Sequence, residues 1–150
     1  MGLKSQSQLK AKFGNPTVDA LGFERKWMKL WDIPDDINKA IPALPNKMYV
    51  NTYMVAPLEA TFRALIAAGV HTEIRTYDGC FVIRKMRGLS SISLHSFGLA
   101  VDLNAAWNPL KGKVTWSKKF LQVWRDNLWT VGADWPTRTD GMHFQWDGWL

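Results

Sequence analysis

A carboxylate in the middle of an apolar strand is the feature that most limits how this chain can fold. Asp102 interrupts the apolar run Leu99-Ala100-Val101-Asp102-Leu103, which has the length and composition of a short β-strand. A buried charged side chain is costly unless it is paired or bound to a metal ion. Gly98, directly before the run, allows an unusual φ angle or a close backbone approach. The position of Asp102 therefore makes it a candidate site residue, held rigidly by its strand.

Two histidines and a second carboxylate complete a candidate metal site. His95 precedes Asp102 by seven residues, and His143 follows it by 41 residues in the segment Asp140-Gly141-Met142-His143. Two imidazoles and one carboxylate leave the fourth coordination position of zinc open for water, as in catalytic zinc sites. Asp140 is a spare carboxylate that can serve as the general base. The alternative interpretation is a set of ordinary polar residues with hydrogen-bonded partners.

Local patterns predict two amphipathic helices. The first extends from Pro57 to Gly69, because proline suits a first turn and glycine suits the C-terminal end of a helix. The second extends from Ser117 to Trp129, with Ser117 as the N-cap. Its inward-facing residues are expected to be Phe120, Leu121, Trp124 and Leu128.

The strand predictions lead to the fold class. Thr72 to Thr76 and Phe81 to Arg84 are expected to be strands on either side of the turn Tyr77-Asp78-Gly79. Together with the helices and the strand around Asp102, they indicate an α+β fold with a small antiparallel sheet flanked by helices.

The chain is expected to close with a strand from Met142 to Trp146. Alternate residues of a strand share a face, so His143 and Gln145 should point the same way. The residues expected to point into the core are Met142, Phe144 and Trp146.

Size and charge favour one globular domain with a basic surface. The 150 residues carry a net charge of +6 and a single cysteine, Cys80, so no internal disulfide is expected. No nucleic-acid motif accompanies the dispersed basic residues, and we expect no nucleic-acid partner. The sequence has no signal segment and no apolar run long enough to span a membrane, so we expect a cytoplasmic monomer. Its basic surface would be attracted to polyanions such as the bacterial cell wall.

The segments around the candidate ligands resemble a known family. Residues 93–102 follow the pattern Ser-x-His-x-x-Gly-x-Ala-x-Asp, and residues 140–143 follow the pattern acidic-x-x-His. In this order the two motifs resemble the zinc D-alanyl-D-alanine carboxypeptidases of the VanY type, and most of all their phage endolysin branch, the L-alanyl-D-glutamate peptidases. The resemblance covers roughly residues 57–146. It implies a hedgehog-like and DD-peptidase-like zinc peptidase fold and hydrolysis of peptidoglycan.

The resemblance also implies roles for individual residues. Zinc would be held by His95, Asp102 and His143. Asp140 would be the catalytic base, and an arginine upstream of the serine would polarise the scissile carbonyl. Arg84 is the best match to that arginine, and Arg87 is the alternative, expected to contact substrate. Ser93 is expected to bind substrate or to support His95.

The resemblance implies a biological setting as well. Many relatives have glutamate as the base and tryptophan before the last histidine, where this chain has Asp140 and Met142. The aspartate variant occurs in the phage branch, which favours an endopeptidase. Residues 1–150 are expected to form one catalytic domain without a separate wall-binding domain. Such an endolysin would wait in the host cytoplasm until a holin opens the inner membrane, and would then act on the periplasmic cell wall.

Other functions remain open at the level of sequence. A D-alanyl-D-alanine carboxypeptidase would need a pocket for a free terminal carboxylate. A non-catalytic zinc or wall-binding module, as in hedgehog signalling domains, would not need Asp140. A lysozyme-type glycosidase needs two carboxylates across its substrate, and the glutamates that could serve are few. They are Glu24, Glu59 and Glu73.

Overall fold

The computed structural model describes residues 6–83 and 91–149 of the chain. Within these residues the helices are α1 (Gln6–Phe13), α2 (Ala20–Trp27), α3 (Asp35–Ala40), α4 (Val55–Ala68) and α5 (Lys118–Asp126). The strands are β1 (Met28–Asp32), β2 (Lys47–Asn51), β3 (Tyr77–Gly79), β4 (Ala100–Leu103), β5 (Trp129–Val131) and β6 (His143–Trp146). Short 3-10 turns lie at Thr52–Met54, His71–Glu73, Leu94–Phe97 and Gly132–Asp134.

Two small antiparallel sheets organise the described residues. One contains four strands in the order β3-β4-β6-β5, and the other pairs β1 with β2. In the four-stranded sheet, β4 and β6 are central neighbours, and Asp102 lies directly opposite His143. The predicted α+β fold, with a small antiparallel sheet and flanking helices, is confirmed.

An aromatic cluster joins the sheet to helices α4 and α5. The ring of Phe144 on β6 lies 4.3 Å from that of Trp124 on α5, measured between centroids. Trp124 in turn meets Phe62 of α4 edge-on at 6.3 Å. All three side chains are fully buried, and large buried aromatics contribute most of the burial energy of such a core. One face of β6 is thereby committed to the core, which leaves the other face for polar residues.

The two predicted helices are present, with small differences at their ends. Helix α4 begins two residues before Pro57 and ends at Gly69, whose left-handed backbone closes the last turn. Ser117 caps α5 as expected, because its hydroxyl accepts a hydrogen bond from the amide of Phe120. Helix α5 ends at Asp126, so the expectation that Leu128 faces the core is wrong. Leu128 has a positive φ of 71° and a largely exposed side chain.

The strand predictions on either side of residues 77–79 are wrong. His71–Glu73 form a 3-10 turn, and Phe81 to Ile83 are not in a strand. Instead, Tyr77–Gly79 form β3, where the sequence suggested a turn. The cause is long-range: the side-chain oxygen of Asn104 accepts hydrogen bonds from the amides of Arg75 and Thr76. A side chain thus accepts the hydrogen bonds that these backbone amides would otherwise donate to a neighbouring strand.

Among the described residues, no helix is both long and apolar enough to cross a membrane.

Gly98 offers a direct test of how the turn after His95 fits the fold. A side chain there would lie 2.6 Å from the sulfur of Met28 and 2.8 Å from the amide nitrogen of Asn51, and Gly98 has a φ of +65°. We expect Gly98→Ala to lower the free energy of unfolding by about 3 kcal/mol, from backbone strain and overpacking. Urea denaturation measures this change.

Gly14→Ala is the matched control. Gly14 also has a positive φ, +80°, but nothing lies within 4 Å of an added side chain. Its substitution should cost only the backbone strain, about 1 kcal/mol. Equal losses in the two variants would contradict the close packing around Gly98.

Candidate metal centre and cleft

Three elements bring His95, Asp102 and His143 together. Asp102 on β4 and His143 on β6 are opposite partners in the antiparallel register, and His95 lies in the 3-10 turn that leads into β4. Their candidate ligand atoms all lie within 4.8 Å of one another. The sheet register and one turn therefore assemble the three residues that the sequence singled out.

The turn that carries His95 is fixed at both ends. The hydroxyl of Ser93 accepts a hydrogen bond from the amide of His95, which caps the start of the turn. Gly98 ends the turn in the left-handed conformation, and its carbonyl accepts a hydrogen bond from the amide of Asn51. The amide of Val82 donates to the carbonyl of His95. These bonds leave the imidazole of His95 little freedom to move.

Hydrogen bonds on the far side of each ring determine which nitrogen faces the centre. Nδ1 of His95 lies 2.6 Å from the carbonyl oxygen of Cys80, so this nitrogen carries the proton and Nε2 faces Asp102. For His143 the order is reversed, because Nε2 lies 2.8 Å from Oε1 of Gln145 and Nδ1 faces Asp102. Each imidazole thus turns an unprotonated nitrogen towards the carboxylate when it is neutral.

The distances fit a tetrahedral metal ion. Asp102 Oδ1 lies 3.2 Å from His95 Nε2 and 3.5 Å from His143 Nδ1. Ligands at roughly 2.0–2.1 Å from a tetrahedral zinc ion are separated from each other by about 3.4 Å. Two imidazole nitrogens and one carboxylate oxygen are also donors that zinc accepts. The residues present therefore fit zinc, with one coordination position left for water or substrate.

In the protein without metal, Asp102 and His143 each favour the charged form of the other. Burial opposes ionisation of Asp102, but hydrogen bonds from His143 and His95 outweigh it and hold the pKa of Asp102 well below its usual value. Burial likewise favours the neutral form of His143, yet its hydrogen bond to Asp102 and the nearby charges of Asp102 and Asp140 raise its pKa. This concentration of negative charge between two imidazoles favours a cation.

Asp140 sits on a tight turn next to the candidate ligands. Its carbonyl accepts a hydrogen bond from the amide of His143 at 3.0 Å, and its amide donates to the carbonyl of Gly132 at 2.9 Å. A side chain at Gly132 would lie 2.2 Å from the Asp140 carbonyl oxygen, so this approach requires glycine. Trp116 also stabilises this turn, because its indole N–H donates a hydrogen bond to the carbonyl of Gly141.

The candidate centre lines a small cleft that opens to solvent. The cleft is lined by the three candidate ligands together with Ser93, Leu94, Leu110, Trp135, Arg138, Asp140, Met142 and Gln145. The ring of Trp135 lies 5.2 Å from that of His143. A peptide could therefore reach the candidate metal position with both apolar and polar surface beside it.

The cleft corrects one prediction for the last strand. His143 and Gln145 share the face that lines the cleft, and Phe144 is buried in the core, as expected. Trp146 is half-buried and packs against the core. Met142, expected in the core, is half-buried and lines the cleft instead, because it precedes the paired residues of β6.

The other predicted site residues have different outcomes. Ser93 lines the cleft and caps the His95 turn, which is a supporting position for His95. Arg84 and Arg87 lie outside the described residues. Six residues of the cleft were not proposed from sequence as part of the site, and the two polar ones among them are Arg138 and Gln145; the others are Leu94, Leu110, Trp135 and Met142. For Arg138 the sequence did offer a signal, because this residue lies only two positions before Asp140.

Cys80 has a structural position in the core. Its thiol is buried and donates a weak hydrogen bond to the carbonyl of Gly98. Burial raises the pKa of the thiol, so it stays protonated and is a poor nucleophile. Its contribution to the site is its backbone carbonyl, which holds His95.

The fold and site define a small α+β protein with a His₂Asp candidate metal centre and an adjacent carboxylate. Residues 87–146 match the profile of a protein family described as D-alanyl-D-alanine carboxypeptidase. The match covers less than half of the chain, but it contains all three candidate ligands and Asp140. Together with the three candidate ligands, it supports a metallopeptidase. No curated protein and no solved structure matches the chain.

The candidate centre predicts a zinc stoichiometry that depends on two of the three histidines. Wild-type protein should retain one zinc per chain after gel filtration, measured by elemental analysis. His95→Ala removes one of three protein ligands and should lose most of the zinc. His71→Ala is the matched control, since His71 lies in a separate 3-10 turn and should leave the stoichiometry unchanged. Full zinc retention by His95→Ala would contradict the assigned centre.

Proposed function

We propose that this protein is a zinc peptidase that hydrolyses the L-alanyl–D-glutamate bond in the stem peptides of bacterial peptidoglycan. The observation that carries the proposal is the meeting of His95, Asp102 and His143 in a cleft that Asp140 also lines. A metal site with an additional carboxylate beside it has the groups needed to hydrolyse an amide bond. The family match over residues 87–146 supports a peptidase that acts on the cell wall.

In this proposal Asp140 carries the proton transfers. Bound zinc would lower the pKa of water and polarise the scissile carbonyl. Asp140 accepts a proton at its carboxylate as the water oxygen bonds to the carbonyl carbon. It then gives that proton to the leaving nitrogen as the carbon–nitrogen bond breaks, which yields a carboxylate and an amine.

Positive charge in the cleft would assist the reaction. A guanidinium beside the scissile carbonyl stabilises the negative charge that develops on its oxygen. The family resemblance assigns this role to Arg84, with Arg87 as the alternative. Arg138 lines the cleft and gives it a cation suited to the carboxylates of a stem peptide.

The choice of bond rests on the base and on the resemblance to phage enzymes. Asp140 replaces the glutamate of many relatives, and the aspartate form is that of the endopeptidase branch. We infer the corresponding setting: an endolysin that remains in the host cytoplasm until a holin opens the inner membrane, and that lyses the host by cutting its wall. The net charge of +6 supports binding to an anionic wall.

A D-alanyl-D-alanine carboxypeptidase is the second candidate. The description of the matched family favours it. Arg138 could bind the free terminal carboxylate that such a substrate presents, so the cleft has a group for this reaction too. The two candidates share the same centre and differ in the position of the scissile bond.

Digestion of purified peptidoglycan separates these candidates. The zinc-loaded protein should release stem peptides with a new amino-terminal D-glutamate, identified by mass spectrometry, and a zinc chelator should stop the reaction. Release of terminal D-alanine alone would establish the carboxypeptidase. An absence of new termini from protein that holds zinc would instead indicate a non-catalytic wall-binding module.

Asp140→Asn tests the assigned base without removing a metal ligand. The amide has the shape of the carboxylate but cannot accept the proton, so kcat should fall by about 10²–10⁴-fold at unchanged zinc content. Asp35→Asn is the matched control, because Asp35 lies exposed in the first turn of α3 and should retain wild-type activity. A kcat near the wild-type value in Asp140→Asn would exclude Asp140 as the base.

A further inference from the structure

A buried polar chain extends from His143 to β5, away from the candidate metal position. Nε2–H of His143 donates to Oε1 of Gln145 at 2.8 Å, and the Gln145 amide donates to Oδ1 of Asp147 across a longer 3.4 Å. The hydroxyl of Thr130 donates to Oδ2 of Asp147. Gln145 is 4% exposed and Asp147 is 9% exposed, so water has little access to these groups.

The strand register places this chain within the sheet. Thr130 on β5 is the backbone partner of Gln145 on β6, and Asp147 follows β6 directly. The residues thus connect two neighbouring strands behind the imidazole of His143. A buried carboxylate and amide in such a position are costly unless their hydrogen bonds are made, and here the amide of Gln145 and the hydroxyl of Thr130 both bond to Asp147.

The carboxylate of Asp147 sets the direction of every bond in the chain. Both oxygens of Asp147 accept hydrogen bonds, Oδ2 from Thr130 and Oδ1 from Gln145, so the Gln145 amide presents its NH₂ to Asp147. Its carbonyl oxygen then faces His143 and can only accept. Nε2 of His143 must therefore carry a proton, so Nδ1, 3.5 Å from Asp102 Oδ1, is the nitrogen whose lone pair faces the centre when the ring is neutral.

We propose that Gln145 is a positioning residue for the metal centre and that Asp147 and Thr130 orient it. Together they hold His143 in the tautomer and ring orientation that coordinate a metal ion through Nδ1. The inference rests on the proposed zinc function. It adds that the affinity for zinc depends on residues that do not touch the ion.

Zinc affinity measured by competition with a chromogenic chelator tests this role in the absence of substrate. Gln145→Leu removes the acceptor for Nε2–H and should weaken zinc binding by about 10–100-fold. Gln122→Leu is the matched control, because Gln122 lies exposed on α5 and should leave zinc affinity unchanged. Circular dichroism and thermal melting establish that each variant is folded.

The double variant Gln145→Glu/Asp147→Asn tests the direction of the chain and remains informative if Gln145→Leu does not fold. The new carboxylate accepts from Nε2–H of His143, and the new amide donates to it while its own oxygen accepts from Thr130. This exchange keeps the donors and acceptors of the three bonds of the chain matched, so zinc affinity should return close to the wild-type value. In zinc-loaded wild type and double variant, ¹⁵N NMR should show a hydrogen-bonded Nε2–H on His143.

The outcomes distinguish this inference from the proposed function. Wild-type zinc affinity in folded Gln145→Leu, or affinity in the double variant as weak as in Gln145→Leu, would overturn the positioning role while zinc-dependent cleavage by the wild type stands. An Nδ1–H tautomer of His143 in the zinc-loaded protein would also overturn it. A wild-type protein that binds no zinc would overturn both the inference and the proposed function.

Discussion

Asp102 carries negative charge inside the sheet, between two imidazole rings, and the arrangement around it follows from the need to stabilise that charge. Desolvation alone would favour the protonated acid, but the hydrogen bonds from His95 and His143 hold the pKa of Asp102 low. A divalent cation at the same point would meet this need more fully than two imidazoles can. The site is therefore consistent with a centre that is complete only with its metal ion.

The fold positions the candidate ligands because one face of β6 packs against the core and the other face lines the cleft. Phe144 points into the aromatic core against Trp124, so its neighbours His143 and Gln145 face the cleft. The antiparallel register places His143 opposite Asp102, and the 3-10 turn before β4 adds His95. Because these positions belong to strands and to a capped turn, the core that stabilises the protein also holds the ligands in place. Rigid elements are what metal coordination requires.

Sequence patterns predicted the elements that neighbouring residues determine, but they missed contacts between residues that are distant in the chain. Helix α4 follows from its own proline, glycine and apolar spacing, and Asp102 was recognisable because its strand is otherwise apolar. Residues 72–76 were predicted to form a strand, but the side chain of Asn104 accepts hydrogen bonds from the amides of Arg75 and Thr76. The support that Asp147 gives to Gln145 likewise needs a third residue on another strand. No local pattern encodes such contacts, since they arise only when the sheet forms.

Diffraction from zinc-loaded crystals, recorded on both sides of the zinc absorption edge, tests the central claim most directly. We expect one anomalous peak, roughly 2.0–2.1 Å from His95 Nε2 and His143 Nδ1 and about 2.0–2.2 Å from an oxygen of Asp102. A fourth ligand should be water, within reach of Asp140. A zinc ion bound elsewhere, or bound to His143 through Nε2, would contradict the account.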